Sequence, residues 1–312
     1  MKSEMTKRFK GWTSIVSILA VSGALLAGCS GTSESQTSSD GDTIPNVSLD
    51  GVQKSEQLSA RVPSDIAARG KLIVGSDTTF APAEFLAGPD GNTPVGFDVD
   101  LSNAIAKKLG LDLDFQSANF DSILPALGTK YDIGASAFYI TKKRLEAVNM
   151  VSYQKGGSTL LVKAGNPHGL TLDNLCGQTI AVQTGSTQLD DLQEFSKKCQ
   201  DSGEQAIDAI ELKTNAEAIT RLSTDGAVGV LSGQTLLGYA ATQSHGQLET
   251  IDATYNAGID GIAVAKSDTE FAQLIADTIN ELINDGTYAQ IMSAWGQKGL
   301  VERADVNPET SM

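Results

Sequence analysis

The chain has 312 residues, of which 40% are hydrophobic and 20% are charged, with 31 glycines and only 8 prolines. This composition is typical of a globular protein of about two domains and excludes the fibrous and disordered classes. The formal net charge of −15 excludes binding along a nucleic-acid backbone, which depends on clustered cations. Two histidines, His168 and His245, leave little material for a histidine-rich metal site or a general-base cluster.

The N-terminal segment has the pattern of an export signal. Four basic residues lie within the first ten positions, and an uncharged stretch then runs from Gly11 to Gly28. At about 18 residues the stretch is near the lower limit for crossing a bilayer, so a single membrane span is the alternative. Its end, Leu26-Ala27-Gly28-Cys29, resembles the bacterial lipobox, in which the cysteine is lipidated and becomes the new N-terminus. We therefore predict a lipoprotein signal peptide over 1–28 and lipidation of Cys29.

The segment after Cys29 is rich in Ser, Thr, Gly and Asp and has few apolar positions. Such a composition cannot bury enough surface to offset chain entropy, so residues 29–59 are predicted to form a flexible tether. The two remaining cysteines, Cys176 and Cys199, form an even pair in an oxidising compartment and predict a disulfide. Two separate buried thiols are the alternative.

From Lys71 onward, short β-rich runs alternate with helical patterns. Apolar residues at helical spacing predict helices around 101–109 and 271–283. A hydroxyl three residues before a carboxylate marks helix starts at Thr187, Thr214 and Ser267. We expect an α/β fold with mostly parallel sheets. The predicted strands are 72–74, 111–115, 131–135, 158–162, 179–183, 209–212, 227–231 and 261–265.

Three runs in the first half carry a family resemblance: KLIVGSDTTF at 71–80, VGFDVDL at 95–101 and FDSILPAL at 120–127. Further runs follow in the same order as in that family, namely ITKKR at 140–144, VQTGST at 182–187, GIAV at 261–264, DGTY at 285–288 and Trp295-Gly296. Over residues 66–300 the chain resembles the extracellular solute-binding proteins of family 3, which are the receptors of polar amino acid ABC importers.

The resemblance implies the type II periplasmic-binding-protein fold, in which two open α/β domains are joined by two hinge strands and the ligand is clamped between them. Lobe one is expected over 60–157 and 260–312, and lobe two over 158–259. Gly156, Gly157, Gly258 and Gly261 flank the two expected crossovers. They are either hinge positions, which must absorb large φ/ψ changes, or ordinary loop glycines.

The resemblance also implies a ligand site. Arg144 matches the arginine that binds the ligand carboxylate through its planar guanidinium, with a solvated helix charge as the alternative. Ser186 and Thr187 stand at a helix start whose N–H groups suit an anion, or they act only as a helix cap. Phe80 and Phe120 match positions of rings against the ligand, or they are core residues. Asp77 and Gln183 match contacts to the ligand's polar groups.

Three positions depart from the family pattern. Tyr139 replaces a small Thr or Ser, Ala137 stands where Gly or Ser is common, and Gly233 lies where the family has an Asp for the ligand ammonium. A desolvated ammonium without a counter-charge costs several kcal/mol. Either another acid substitutes for it, or the ligand is not an ordinary α-amino acid. The acids that could substitute for it are Asp77, Glu84 and Asp260.

The expected function is a membrane-anchored, extracytoplasmic receptor that captures a polar amino acid or related small carboxylate for an ABC permease. We expect a monomer that contacts the membrane through its lipid, with no cofactor, no bound metal and no nucleic-acid partner. One alternative is a periplasmic dehydratase-like enzyme on the same fold. This alternative has no positive support in the sequence: Gly134-Ala135-Ser136-Ala137 begins like a nucleophile elbow, but Phe138 stands where the closing glycine belongs. A solute sensor for a membrane signalling partner is the other alternative.

Overall fold

The computed structural model describes residues 36–37, 43–310 and 312. The predicted signal peptide, the predicted lipidation site Cys29 and the first part of the predicted tether lie outside the described residues. Across the described ranges, no helix combines the length and the apolar character needed to cross a bilayer.

The described chain alternates strands and helices, with a short 3₁₀ turn at Leu124–Ala126. The strands are β1 (Gln36–Thr37), β2 (Thr43–Ile44), β3 (Lys71–Ser76), β4 (Thr79–Phe80), β5 (Glu84–Ala87), β6 (Thr93–Val95), β7 (Asp112–Ser117), β8 (Ile133–Tyr139), β9 (Val148–Lys163), β10 (Thr179–Gln183), β11 (Asp208–Leu212), β12 (Gly229–Gly233), β13 (Leu248–Thr250) and β14 (Tyr255–Ala265). The helices are α1 (Glu56–Ser59), α2 (Ser64–Arg69), α3 (Phe97–Leu109), α4 (Phe120–Ile123), α5 (Lys142–Ala147), α6 (Thr187–Asp201), α7 (Asn215–Ser223), α8 (Gln234–Gln243), α9 (Thr269–Asn284) and α10 (Thr287–Ala294).

A mixed sheet connects two lobes, in the strand order β11-β10-β12-β9-β14-β8-β3-β7, with β13 paired to β9. In lobe one, β3 is parallel to β7 and β8; in lobe two, β10 is parallel to β11 and β12. The long strands β9 and β14 between them are antiparallel to each other and to their outer neighbours. The predicted two-lobe α/β fold is confirmed. The expectation of mostly parallel pairing holds only for the part of the main sheet inside each lobe, and the small sheet β4-β5-β6 is antiparallel.

The two hinge strands are β9 and β14. The predicted lobe boundaries, 157/158 and 259/260, fall inside these two strands, and Gly156 lies opposite Gly258 in their register. Gly156 has little room for a side chain, because an added Cβ would lie 3.2 Å from the Tyr139 hydroxyl and 3.3 Å from Oδ2 of Asp260. The residue limits of the lobes stay a prediction.

Each lobe has its own hydrophobic core. In lobe one, α3, α9 and α10 pack on the sheet through fully buried residues such as Ile105, Ile275 and Ile291. In lobe two, α6 and α7 cover β10 and β12 through Leu192 and Leu222. These apolar residues recur at helical spacing, which places them on one face of each helix. The predicted disulfide is present in lobe two and joins Cys176 to Cys199 on α6.

Residues 43–59 differ from the predicted tether because they pack onto lobe one. The side chains of Ile44, Leu49 and Leu58 are buried in its core, and the N–H of Ser55 donates to the carbonyl of Lys108 at 2.8 Å. Three isolated apolar residues in a polar segment carry no periodicity, so the composition alone favoured a disordered reading.

The helix-start signals were correct to within one residue. Thr214 caps α7 with a full capping box, in which its side chain accepts from the N–H of Glu217. The predicted caps Thr187 and Ser267 are displaced, because Ser186 caps α6 and Asp268 caps α9. In both cases the preceding or following polar residue offers the side-chain oxygen instead.

Candidate functional site

A narrow cavity lies between the lobes, beside the hinge strands. Ten of the eleven ligand-site residues expected from the sequence line it: Phe80, Phe120, Ala137, Tyr139, Arg144, Gln183, Ser186, Thr187, Gly233 and Asp260. Asp77 does not line the cavity. The cavity volume open to solvent is about 30 Å³, which is room for roughly two waters. This volume is too small for a ligand of amino-acid size.

Arg144 is positioned by the start of α5. Thr141 caps this helix and accepts from the N–H of Arg144 at 3.1 Å. The guanidinium lies 5.6 Å from the ring centre of Phe120 and 5.4 Å from that of Phe138. Its Nη1 donates to the carbonyl of Tyr139 at 2.9 Å. Desolvation lowers the pKa of Arg144 to about 10, so the group remains cationic at neutral pH.

Lobe two faces Arg144 with the N-terminus of α6. The Ser186 hydroxyl accepts from the N–H of Leu189 at 3.2 Å and donates to the carbonyl of Gln183 at 2.7 Å. Thr187 and Gln188 begin the helix, and the first N–H groups of a helix have no acceptor inside it. Gly185 precedes the cap at a φ of 78°, which favours glycine. Its carbonyl accepts from Nη2 of Arg144 at 3.3 Å, across the cleft.

Position 233, where the family has an aspartate, is crowded in this structure. An added Cβ on Gly233 would lie 3.1 Å from Cζ of Phe80, which reaches across from lobe one. A side chain at position 233 would therefore require the Phe80 ring to shift by a few tenths of an ångström. Phe80 and Gly233 face each other from opposite lobes, so a ring at position 80 and a side chain at position 233 would fill the same volume.

The three acids considered as substitutes have different surroundings. The Asp77 carboxylate accepts from the amide of Gln183 and from the hydroxyl of Thr79 at 2.8 Å. Glu84 is fully buried and accepts from the Ser136 hydroxyl at 2.7 Å, away from the cavity surface. Among the described residues, Asp260 is the acid that lines the cavity.

The Asp77 carboxylate ends a polar chain that crosses the cleft. The amide nitrogen of Gln183 donates to Asp77, and the amide oxygen of Gln183 accepts from Asn215 at 2.7 Å. The Ser232 hydroxyl donates to the amide oxygen of Asn215 at 2.9 Å. Lys143 of lobe one also forms an ion pair with Asp190 of lobe two at 2.9 Å. Asp77 therefore connects the lobes, whereas a direct ligand contact was expected.

Glu84 and Asp98 form a buried acid pair behind the cavity wall. Asp98 accepts from the Tyr153 hydroxyl at 2.9 Å and from the N–H of Ala137 at 3.1 Å. Burial raises the pKa of Asp98 to about 6. Burial and the neighbouring charge of Asp98 raise the pKa of Glu84 well above its usual range. The pair thus holds the backbone of Ala137, which has a φ of 43°, in the cavity wall.

Several lining residues were missed by the sequence analysis: Phe97, Ser136, Gln154, Gly156, Gly157, Gln188, Ser232, Gln234 and Thr235. Gln188 directly follows the VQTGST run, so its place in the first helical turn was the available signal. Gln154 and Ser232 lie on strands outside the compared runs and reach the cavity only through the pairing of β9 with β14 and β12.

Two α/β lobes, two hinge strands and a polar cavity between the lobes define the class of two-lobe solute-binding proteins. Residues 72–298 match the model of the bacterial extracellular solute-binding proteins, family 3. The chain therefore belongs to this family, as the resemblance had indicated.

Known proteins similar to this chain include an arginine-binding protein of Corynebacterium glutamicum, 30% identical over 81% of this chain and 83% of the relative. Among solved structures, an ancestral arginine-binding protein bound to arginine is 32% identical, with a TM-score of 0.65 over 73% of this chain and 98% of that one. An ancestral amino acid-binding protein described as a precursor of cyclohexadienyl dehydratase is 28% identical, with a TM-score of 0.66 over 74% and 97%. A solute-binding role for this chain follows.

Proposed function

We propose that the protein is a lipid-anchored, extracytoplasmic receptor that captures an amino acid by its carboxylate and presents it to an ABC permease. The observation that carries the proposal is the place of Arg144, a cation in the cavity wall that faces the first turn of α6 across the cleft. The relatives named above as arginine-binding proteins support an amino acid as the ligand class.

In this proposal the ligand carboxylate accepts two parallel hydrogen bonds from the guanidinium of Arg144, a geometry that arginine supplies and lysine does not. The same carboxylate then accepts from the N–H groups at the start of α6 in lobe two. Contacts to lobe two form only when the lobes approach. The bound ligand therefore shifts the open and closed populations towards the closed one, because it binds that state better.

We place lobe one at 60–157 and 260–312 and lobe two at 158–259, so that bending occurs within β9 and β14. Gly156 and Gly157 on β9 and Gly258 on β14 lie at this point. Strand glycines have the widest backbone freedom, which suits residues that absorb φ/ψ changes.

Binding is tested by a thermal-shift panel on the full chain in detergent, using the common amino acids, betaines and small organic acids. A ligand that binds only the folded protein raises the unfolding midpoint in a concentration-dependent way. At least one amino acid is expected to do so, with the affinity then measured by calorimetry. If no amino acid raises the unfolding midpoint, whether or not a betaine or an organic acid does, the proposal fails.

The lipid anchor is tested separately. Cys29→Ala is expected to release the protein from membranes or to leave the unprocessed precursor, because acyl chains contribute about 0.8 kcal/mol per buried CH₂ to membrane binding. Membrane fractionation and the mass of the N-terminal peptide measure this. Fractionation and processing like those of the unchanged protein would contradict lipidation at Cys29.

A further inference from the structure

Two acceptor groups on the hinge strands reach the cavity. Asp260 on β14 is 6% exposed, and Gln154 on β9 is 2% exposed. Both line the cavity. Within the part of the chain that the structure describes, the buried Oε1 of Gln154 accepts no hydrogen bond. Buried polar atoms are normally paired, so an unpaired acceptor beside a buried carboxyl group needs an explanation.

The orientation of the Gln154 amide follows from its neighbours. The amide nitrogen of Gln297 donates to the carbonyl of Trp295 at 2.9 Å, which leaves the Gln297 oxygen as an acceptor. That oxygen accepts from Nε2 of Gln154, also at 2.9 Å. The amide oxygen of Gln154 is therefore the free end of a chain of defined direction. A ligand group that binds there must donate.

The register of the sheet brings the two acceptors together. Asp260 lies directly opposite Gln154 on β9 and directly opposite Tyr139 on β8. Directly opposed residues of antiparallel strands project from the same face of the sheet, with Cβ atoms about 5 Å apart. The three side chains therefore form one row across the sheet beside the hinge glycine Gly156.

The charges around Asp260 are unbalanced. Burial raises the pKa of Asp260 well above its usual range, and the neighbouring carboxylate of Asp98 raises it further. Arg144 opposes this effect, and burial raises the pKa of Tyr139, so its phenol is neutral. A buried carboxyl group in such surroundings is stabilised by a cation that also donates hydrogen bonds.

We propose that Asp260 and Gln154 form the binding site for a positively charged nitrogen of the ligand, so that the ligand carries a cation as well as a carboxylate. This inference rests on the proposed function, in which the carboxylate binds Arg144. The site takes the place of the family aspartate at position 233, which is a glycine packed close to Phe80 in this chain. The nitrogen is the α-ammonium or a side-chain guanidinium or ammonium, which share this chemistry.

The test is calorimetry on the full chain in detergent with three probes: L-arginine, L-citrulline, which lacks the side-chain charge, and the 2-hydroxy analogue of arginine, which lacks the α-ammonium. We expect L-arginine to bind at least tenfold more tightly than one of the two analogues, and the weaker analogue identifies the nitrogen at Asp260. Equal affinity for all three probes would overturn the inference.

Asp260→Asn is nearly isosteric and is expected to weaken L-arginine binding tenfold or more and to reduce the difference between the probes. Asp173→Asn makes the same charge change at an exposed site and is the matched control. Unchanged L-arginine affinity in a folded Asp260→Asn protein also overturns the inference. If amino acids bind but the three probes have equal affinity, the inference fails and the proposed capture of an amino acid survives. If the protein binds only a carboxylate with no cationic nitrogen, such as succinate, or binds nothing, the proposed function fails as well.

Discussion

Lobe one and lobe two line opposite sides of the same cavity with different chemistry. Among the described lining residues, the charged groups are Arg144 on lobe one and Asp260 on a hinge strand, and the aromatic rings of Phe80, Phe120 and Tyr139 also come from lobe one. Lobe two contributes neutral hydroxyls and amides and the N-terminus of α6. Charged groups set which ligand binds and how it is oriented, whereas neutral donors add contacts to a ligand already in place.

The absence of charged side chains from the part of the cavity wall that lobe two contributes, among the described residues, has a physical reason when the lobes are close together. A full charge on lobe two would lose its solvent each time the lobes approach, and it would need a partner at that moment. Backbone N–H groups at a helix start attract an anion without carrying a full charge, so they lose less when they are desolvated. Lobe two can therefore close on an anionic group at a smaller cost.

The largest expected effect is the loss of Arg144. Arg144→Ala is expected to weaken binding of the amino acid by about 2–5 kcal/mol, the usual cost of removing one partner of a desolvated charge pair. Calorimetry on the full chain measures it, with Lys142→Ala as a control that removes an exposed charge from the same short helix. Equal losses in the two variants would mean that the charge of lobe one acts only at long range.

The second effect concerns the stability of lobe two, which carries the disulfide. Replacing Cys176 and Cys199 together by Ala is expected to lower the free energy of unfolding by roughly 3 kcal/mol, because the bond closes a loop of 23 residues in sequence separation. Urea titration of the double variant measures this loss. An unchanged transition midpoint would show that the core of lobe two is sufficient without the cross-link.

Much of the fold could be predicted because its signals are local. The strand β10 was predicted with its observed ends, since an apolar run is bounded by turn residues on both sides. The predicted helix cap at Thr214 was also correct, because a capping box needs only four consecutive residues. Arg144, which lines the cavity, could be predicted as a site residue because it belongs to a short contiguous motif.

What could not be predicted depends on contacts between distant residues. Gly233 lies close to the ring of Phe80, which is far from it in sequence, and no local pattern encodes that contact. Gln154 became a lining residue through its register with Asp260 on a strand about a hundred residues later. Even the packing of Leu49 and Leu58 onto lobe one depends on surfaces formed later in the chain.

The third effect is a pH dependence of stability that arises from two buried acids in lobe one. The pKa values of Glu84 and Asp98 in lobe one are higher in the folded protein than in the unfolded chain, and that of Asp98 is raised to about 6. Their contribution to stability is therefore complete below about pH 4 and is lost as the pH rises through 6 and beyond.

Glu84→Gln is expected to flatten this loss, because the remaining acid no longer faces a second carboxylate. Thermal unfolding between pH 4 and pH 8 measures the slope, and Glu249→Gln in β13 is the exposed control. A slope that stays the same in Glu84→Gln would place the titrating groups elsewhere in the chain.

The smallest effect tests backbone strain in the lobe-one wall. Among the described residues that line the cavity, Ala137 is the non-glycine residue with a positive φ, at 43°. Ala137→Gly removes the clash of Cβ with the backbone and is expected to stabilise the protein by about 0.5–1 kcal/mol. Ala135→Gly, two residues earlier on β8 and outside the positive-φ region, is expected to destabilise it by a similar amount. Chemical denaturation of the two variants measures the change in the free energy of unfolding for each. If both variants are less stable than the unchanged protein, the methyl group of Ala137 contributes more by packing than its backbone costs in strain.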